Sequence, residues 1–174
     1  MKKIISIIVA IVIVGFGFWL WSTIKPESKQ EVILDPQNAT YVIEGQEVVL
    51  IDGESKEETL SESEMMTQYF GNETKGDFNN DGIEDAVFLL VQDGGGSGVF
   101  YYVAVVLGTV DNYKGTNAIF IGDRIAPQTT EFRDGEIIVN YAERKSDEPM
   151  TAEPSIGVSR YFKISGDELV EILK

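Results

Sequence analysis

Two apolar runs separated by a short glycine-rich link constrain this chain more than any other feature. Ala86-Val87-Phe88-Leu89-Leu90-Val91 and Val99-Phe100-Tyr101-Tyr102-Val103-Ala104-Val105-Val106-Leu107 show no alternation of apolar and polar residues. A strand with one face in water alternates with period two, so strands without alternation are covered on both faces and belong at the centre of a fold. The link Asp93-Gly94-Gly95-Gly96-Ser97-Gly98 is too short for a crossover helix. The pair is therefore predicted to be an antiparallel hairpin forming the backbone of the core.

The flanking punctuation points the same way. Thr40-Tyr41-Val42-Ile43 and Gln46-Glu47-Val48-Val49-Leu50-Ile51 flank Glu44-Gly45, and residues 129–133 and 136–141 flank Asp134-Gly135. Residues 160–164 and 168–172 flank Ser165-Gly166-Asp167, and Asn117-Ala118-Ile119-Phe120-Ile121 reads as a further strand. Short strands broken by such turns predict a mainly β domain, an antiparallel sandwich or a barrel-like sheet. Residues 61–69 are ambiguous. Ser61 and Glu64 make a weak capping box, whereas Met66, Gln68 and Phe70 alternating with Thr67 and Tyr69 fit a strand about as well. A short helix or turn followed by a strand is slightly favoured and would make the class α+β.

The N-terminus reads as a membrane anchor. Residues 4–21, from Ile4 to Trp21, are apolar apart from Ser6. As a helix they span about 27 Å, close to the ~30 Å hydrocarbon core of a bilayer. Lys2 and Lys3 precede the run, and Trp19 and Trp21 close it where an interfacial aromatic belt would lie. A cleaved signal peptide is the competing reading, but its core is usually shorter and ends in small residues. The run here ends in Phe16-Gly17-Phe18-Trp19-Leu20-Trp21, and without cysteine no lipid can be attached. The expected organisation is an anchor at 1–24, a polar tether at 25–38 containing Pro26 and Pro36, and a β-rich domain at 39–174. Residues 32–34 of the tether could form a short strand. Lys2 and Lys3 mark the cytoplasmic side, so the domain faces outward from a single-pass bacterial cytoplasmic membrane.

Composition narrows the chemistry. The 174 residues include no Cys and no His, and 29 acidic against 14 basic side chains leave a net charge of −15. Serine–histidine and cysteine–histidine catalysis and histidine- or thiolate-bound zinc are excluded. Nucleic acid is not an expected partner, since phosphate binding requires clustered Lys and Arg. A carboxylate enzyme, a hard-cation site and a binding module remain.

One motif carries chemistry. Gly76-Asp77-Phe78-Asn79-Asn80-Asp81-Gly82-Ile83-Glu84-Asp85 places side-chain oxygens at Asp77, Asn79, Asp81 and Asp85, loop positions 1, 3, 5 and 9. Gly82 stands at position 6, where the chain turns, and Ile83 offers its carbonyl at position 7. Oxygen donors alternating around such a turn converge as Ca²⁺ requires, whereas Mg²⁺ prefers a water-rich octahedron. Position 12 is Phe88, not the bidentate Glu of an EF-hand. The expected ligands are Asp77, Asn79, Asp81, Ile83 and Asp85, around a structural Ca²⁺. The plain alternative is a solvated turn, because Asn, Asp and Gly favour turns for backbone reasons alone.

The loop, the apolar strand after it, the Gly-rich link and the aromatic strand beginning Val99-Phe100-Tyr101-Tyr102-Val103 resemble one FG-GAP/VCBS-type repeat. That resemblance implies a calcium loop between strands of an extracellular β-protein. A propeller needs several such repeats and this chain holds one, so neither the propeller nor an adhesion role is implied. Tyr69-Phe70-Gly71-Asn72-Glu73, Gly115-Thr116-Asn117-Ala118, Ile125-Ala126-Pro127-Gln128-Thr129 and Val139-Asn140-Tyr141-Ala142 look like segments of a widespread group of bacterial envelope proteins and lipoproteins. This second resemblance implies an extracytoplasmic location and no mechanism.

Two further stretches carry weaker signals. The Gly-rich link lacks the Gly-Lys-Ser/Thr and following helix of a phosphate cradle, so it reads as a hairpin loop that could pack beside the acidic loop. Residues 144–154 form a long loop with Arg144-Lys145, Pro149 and Pro154, read as a solvated connection. The expected function is a non-catalytic binding or structural module of the envelope, anchored in the lipid bilayer and meeting an envelope protein or glycan. The alternative is a carboxylate-dependent enzyme acting on envelope glycans.

Overall fold

A computed structural model describes residues 33–58, 64–149 and 151–174. These residues form twelve strands: β1 (Thr40–Ile43), β2 (Gln46–Val49), β3 (Glu54–Glu58), β4 (Glu64–Gly76), β5 (Asp85–Asp93), β6 (Phe100–Gly108), β7 (Tyr113–Gly115), β8 (Asn117–Asp123), β9 (Ala126–Arg133), β10 (Glu136–Glu143), β11 (Ile156–Ser165) and β12 (Glu168–Ile172). The domain is mainly β, as expected. Among the described residues no helix is long and apolar enough to cross a membrane, and the anchor proposed at residues 4–21 lies outside them.

The two apolar runs become β5 and β6, paired antiparallel from Ala86↔Val106 to Gln92↔Phe100. Both faces of this hairpin are buried. Val87 and Leu89 with Val103, Val105 and Leu107 pack against Ile137, Val139 and Tyr141 of β10, Phe162 of β11 and Leu169 of β12. Ala86, Phe88 and Leu90 with Tyr102, Ala104 and Val106 pack against Tyr41, Ile43, Val48 and Leu50 from the first hairpin. Ala104 stands opposite Phe88 in the register. The small residue leaves room for the Phe88 ring, which Tyr41 meets edge-on at 5.4 Å and Tyr69 covers at 5.2 Å. Each large side chain so buried contributes about 1.5–3 kcal/mol before entropy is counted.

The strands form two sheets. The first runs β2-β1-β8-β6-β5-β4-β3, with β7 also on β6; the second runs β12-β11-β10-β9. The edge strands of the first sheet, β2 and β3, are consecutive in the chain and joined by the turn Asp52-Gly53, across which Ile51 bridges Glu54. The first sheet therefore curls into a nearly closed, barrel-like form. Glu44-Gly45, Asp52-Gly53 and Asp134-Gly135 all have positive φ at both residues (52° and 83°, 52° and 84°, 55° and 78°), the twist a two-residue hairpin needs.

Two readings are corrected. Residues 64–69 are not helical: from Glu64 the chain is strand for 13 residues, and residues 59–63 lie outside the described part. Backbone pairing with β5 and the burial of Thr67 outweigh the weak capping signal. Ile33 and Leu34 are not strand; Leu34 packs on the core, Pro36 is buried, and Tyr41 donates its hydroxyl to the Pro36 carbonyl at 2.8 Å. Two strands had no signal, β3 and the three-residue β7. Glu54-Ser55-Lys56-Glu57-Glu58 has poor strand propensity and is held by its ladder to β4, where its charges suit an outer strand.

Side chains join the two sheets. Thr74 Oγ1 donates to the Thr130 carbonyl at 2.6 Å, and the Asn117 amide exchanges two hydrogen bonds with the Leu169 backbone at 3.0 and 2.8 Å. Arg160 forks onto Glu171 at 2.7 and 2.6 Å and also donates to the Phe120 carbonyl at 2.7 Å. Arg160 thus ties β11 and β12 to β8.

Candidate functional site

The acidic loop begins where β4 ends. Gly76 passes so close to Phe132 and Phe78 that a Cβ there would lie 2.8 and 3.0 Å from their rings. Phe78 is buried and meets Phe132 at 4.8 Å between centroids, which nails the start of the loop to the core. The chain then reverses through two left-handed residues, Asn80 at φ 61° and Gly82 at φ 84°. Asp77 accepts from the amides of Asp81 at 3.0 Å and Gly82 at 2.9 Å. Asn79 Oδ1 accepts from the Asp81 amide at 3.0 Å, and Asp81 Oδ1 accepts from Ile83 at 2.8 Å. Asn79 Nδ2 also donates to Asp81 Oδ2 at 2.9 Å. The oxygens of positions 1, 3 and 5 are folded inward onto the loop's own amides, as short polar side chains do in turns.

Asp85 is different in kind. It is 0% exposed, and its two oxygens accept from the Phe78 amide at 2.8 Å and the Gly108 amide at 2.9 Å. One carboxylate therefore ties the loop to the far end of β6. Glycine is required at 108 because a Cβ would run into the Glu84 carbonyl and the Ile83 side chain. Burial pushes the Asp85 carboxyl above its ordinary value of 3.8; the two amides work against that, and the charges of Asp81 and Asp77 add to it.

The structure thus unites Asp77, Asn79, Asp81 and the Ile83 amide in one hydrogen-bonded turn, with Asp85 anchored behind it. Among the described residues no three acidic side chains already stand close enough to form a metal-holding cluster. Gly108 had no signal in the sequence. It lies 23 residues from Asp85 and reaches it only because β5 and β6 are antiparallel.

The other stretches are structural. The Gly-rich link lies beyond the opposite end of β5, about 30 Å away for nine residues of strand, so it does not pack beside the acidic loop. Its exit is tied down where the Val99 amide donates to Asp123 at 2.9 Å. Arg124 hydrogen-bonds the same carboxylate at 3.0 and 2.6 Å and, with burial opposing, holds it below the ordinary range. Arg144 leaves its loop to cap the carbonyls of Arg124 at 3.0 Å and Asp123 at 3.1 Å. Lys145 pairs with Glu148 at 3.7 Å. With the fold and this geometry in hand, comparison finds no protein-family model, no curated protein and no solved structure that matches the chain.

Proposed function

We propose that the chain is a membrane-anchored, outward-facing β-module whose loop from Asp77 to Asp85 takes a structural Ca²⁺, with binding of an envelope partner rather than catalysis as its task. The observation that carries the calcium reading is Asp85: a fully buried carboxylate, held only by two amides, whose protonation is favoured further by Asp77 and Asp81. A divalent cation among the three would offset burial and repulsion together. Each carboxylate oxygen that accepts one amide keeps a second acceptor position for an ion. Asn79 and the Ile83 carbonyl complete an oxygen set of the kind Ca²⁺ takes. The anchor at residues 4–21 rests on the length and apolarity of that run.

A glycan-cleaving enzyme needs two carboxyls in contrasting environments on either side of a substrate. Asp85 has the shifted environment, but it is fully buried, out of a glycan's reach. That favours the binding module.

The test is a thermal melt of the full-length chain in detergent micelles, with chelator and with millimolar Ca²⁺. For an affinity of ~10⁻⁴–10⁻³ M, typical of extracellular modules, 1 mM Ca²⁺ stabilises by about 0.4–1.4 kcal/mol. That is a rise of about 1–6 °C for a domain of this size. Asp81→Ala should remove the rise and leave the fold intact. A wild-type melt indifferent to calcium would leave the loop a turn and nothing more.

A further inference from the structure

A second feature, outside the acidic loop, has the makings of a recognition site. Between the β2–β3 turn and β4 lies a cleft of about 290 Å³, lined by Gln37, Asp52, Gly53, Glu54, Tyr69 and Phe70, with Gln68 and Val91. Its walls are tied in place. The Gly53 amide donates to the Gln37 carbonyl at 2.9 Å, and the Tyr69 amide donates to the Gly53 carbonyl at 2.8 Å. The Asp52 amide donates to Asn38 Oδ1 at 2.9 Å, and Gln68 Nε2 donates to Glu54 Oε1 at 3.1 Å. Tyr69 lies on Phe88 of the core and donates its hydroxyl to Glu73 at 2.6 Å, so its ring cannot swing away. Phe70 is 44% exposed and braced edge-on by Tyr101 at 5.3 Å.

From this arrangement we infer that the cleft receives one guanidinium-bearing side chain, an arginine of a partner polypeptide. Size, charge and shape each argue for it. At about 290 Å³ the cleft is at the small end of ligand sites, which run ~300–1,000 Å³, so it suits one long side chain and not a cofactor. The described residues lining it include two carboxylates and neither Lys nor Arg. The Gln37 side-chain carbonyl sits over Gly53, where a Cβ would be only 2.9 Å from it, and adds a neutral acceptor at the same rim. An exposed aromatic ring beside acceptors is the setting in which a planar cation both stacks and donates hydrogen bonds. Glycine at 53 also keeps the entrance open, since its φ of 84° and the nearby Gln37 oxygen both oppose a side chain there. The inference concerns the binding role and does not depend on calcium in the loop.

The experiment is an amide NMR titration of the full-length chain in micelles with Nα-acetyl-L-arginine N-methylamide, alongside its citrulline and lysine counterparts. The arginine probe should bind in the millimolar range with its largest shifts at Gly53, Tyr69 and Phe70. The uncharged citrulline probe, isosteric with it, should bind at least ~10-fold more weakly, because charge-assisted hydrogen bonds are about twice as strong as neutral ones. The lysine probe should fall between, lacking the planar fork. Asp52→Asn with Glu54→Gln should abolish the difference between arginine and citrulline while the spectrum stays native. Phe70→Ala, at an exposed position, should weaken arginine ~3-fold through the lost stacking. Equal binding of citrulline overturns the inference. So do shifts no larger at the cleft than at Asp77 and Asp81, which would mean diffuse attraction of cations to an acidic protein. Asp81→Ala should leave the arginine titration unchanged, so failure here and failure of the calcium reading can be told apart.

Discussion

Asp85 and Glu171 are both carboxylates that join distant strands, and they do it in opposite ways. Glu171 sits beside the Arg160 guanidinium, whose hydrogen bonds hold it below the ordinary carboxylate range despite some burial. Asp85 has two amides and no cation, and burial holds it above that range. In one place the molecule uses one of its few basic residues to lock a seam. In the other it leaves an acid in the interior, under the repulsion of Asp81 and Asp77. A paired charge is a fastener at neutral pH, whereas an unpaired buried charge is a cost that protons or metal ions can relieve.

The largest test of that contrast is Asp85→Ala. It strands the buried amides of Phe78 and Gly108 and should cost about 2–6 kcal/mol in denaturant unfolding, each unpaired group costing about 1–3. A loss below half a kcal/mol would mean that the two amides find other partners and that Asp85 is no clamp. Arg160→Ala comes next. It removes a forked pair with Glu171 and a bond to the Phe120 carbonyl, and should cost about 1–3 kcal/mol, within the range for hydrogen bonds to charged groups.

pH separates the two sites by sign. A raised folded-state pKa means that the native state binds the proton more tightly, so the Asp85 contribution to stability falls as pH rises from 3.8 through its elevated value. Glu171 acts in reverse: its pKa is lowered, so its contribution is full above the unfolded-state value of 4.5 and is lost as pH falls through the folded one. Stability measured from pH 3 to 7 for wild type, Asp85→Asn and Glu171→Gln should show the first variant losing the decline with rising pH. The second should lose the decline with falling pH. The same sign for both variants would end the comparison.

The smallest effect joins the pH contrast to the calcium proposal. An ion among Asp77, Asp81 and Asp85 competes with protons, so the gain in melting temperature from millimolar Ca²⁺ should be greater at pH 7 than at pH 4.5. Arg160→Ala should not alter that gain. A calcium effect that is pH-independent, or that disappears with Arg160, would place the ion elsewhere.

Much of the fold was legible because its signals are local. The unalternating runs around Phe88 and Val103 could only be buried on both faces, and Glu44-Gly45 and Asp134-Gly135 carry the positive φ values their hairpins require. The acidic loop was legible as a turn for the same reason: Asp77, Asn79 and Asp81 serve amides within five residues of themselves. From Glu64 the ambiguous stretch is strand, because a two-residue capping signal is weak against a ladder of backbone bonds. The strand at Glu54 was invisible because nothing in Glu-Ser-Lys-Glu-Glu announces its partner.

Period, turn chemistry and charge balance thus determined by themselves that this chain builds a double-sided β core around one hairpin and carries an oxygen-rich acidic turn. The tertiary structure alone decided that Asp85 would leave that turn for the interior, and that Arg160 and Asn117 would bind the second sheet to β8. It also brought Asp52, Glu54 and Phe70 to one cleft. The reason is range. Periodicity and turn preference act over a few residues, while Asp85 to Gly108 and Asn117 to Leu169 are separated by 23 and 52 residues. Their partners exist only after the sheets have paired.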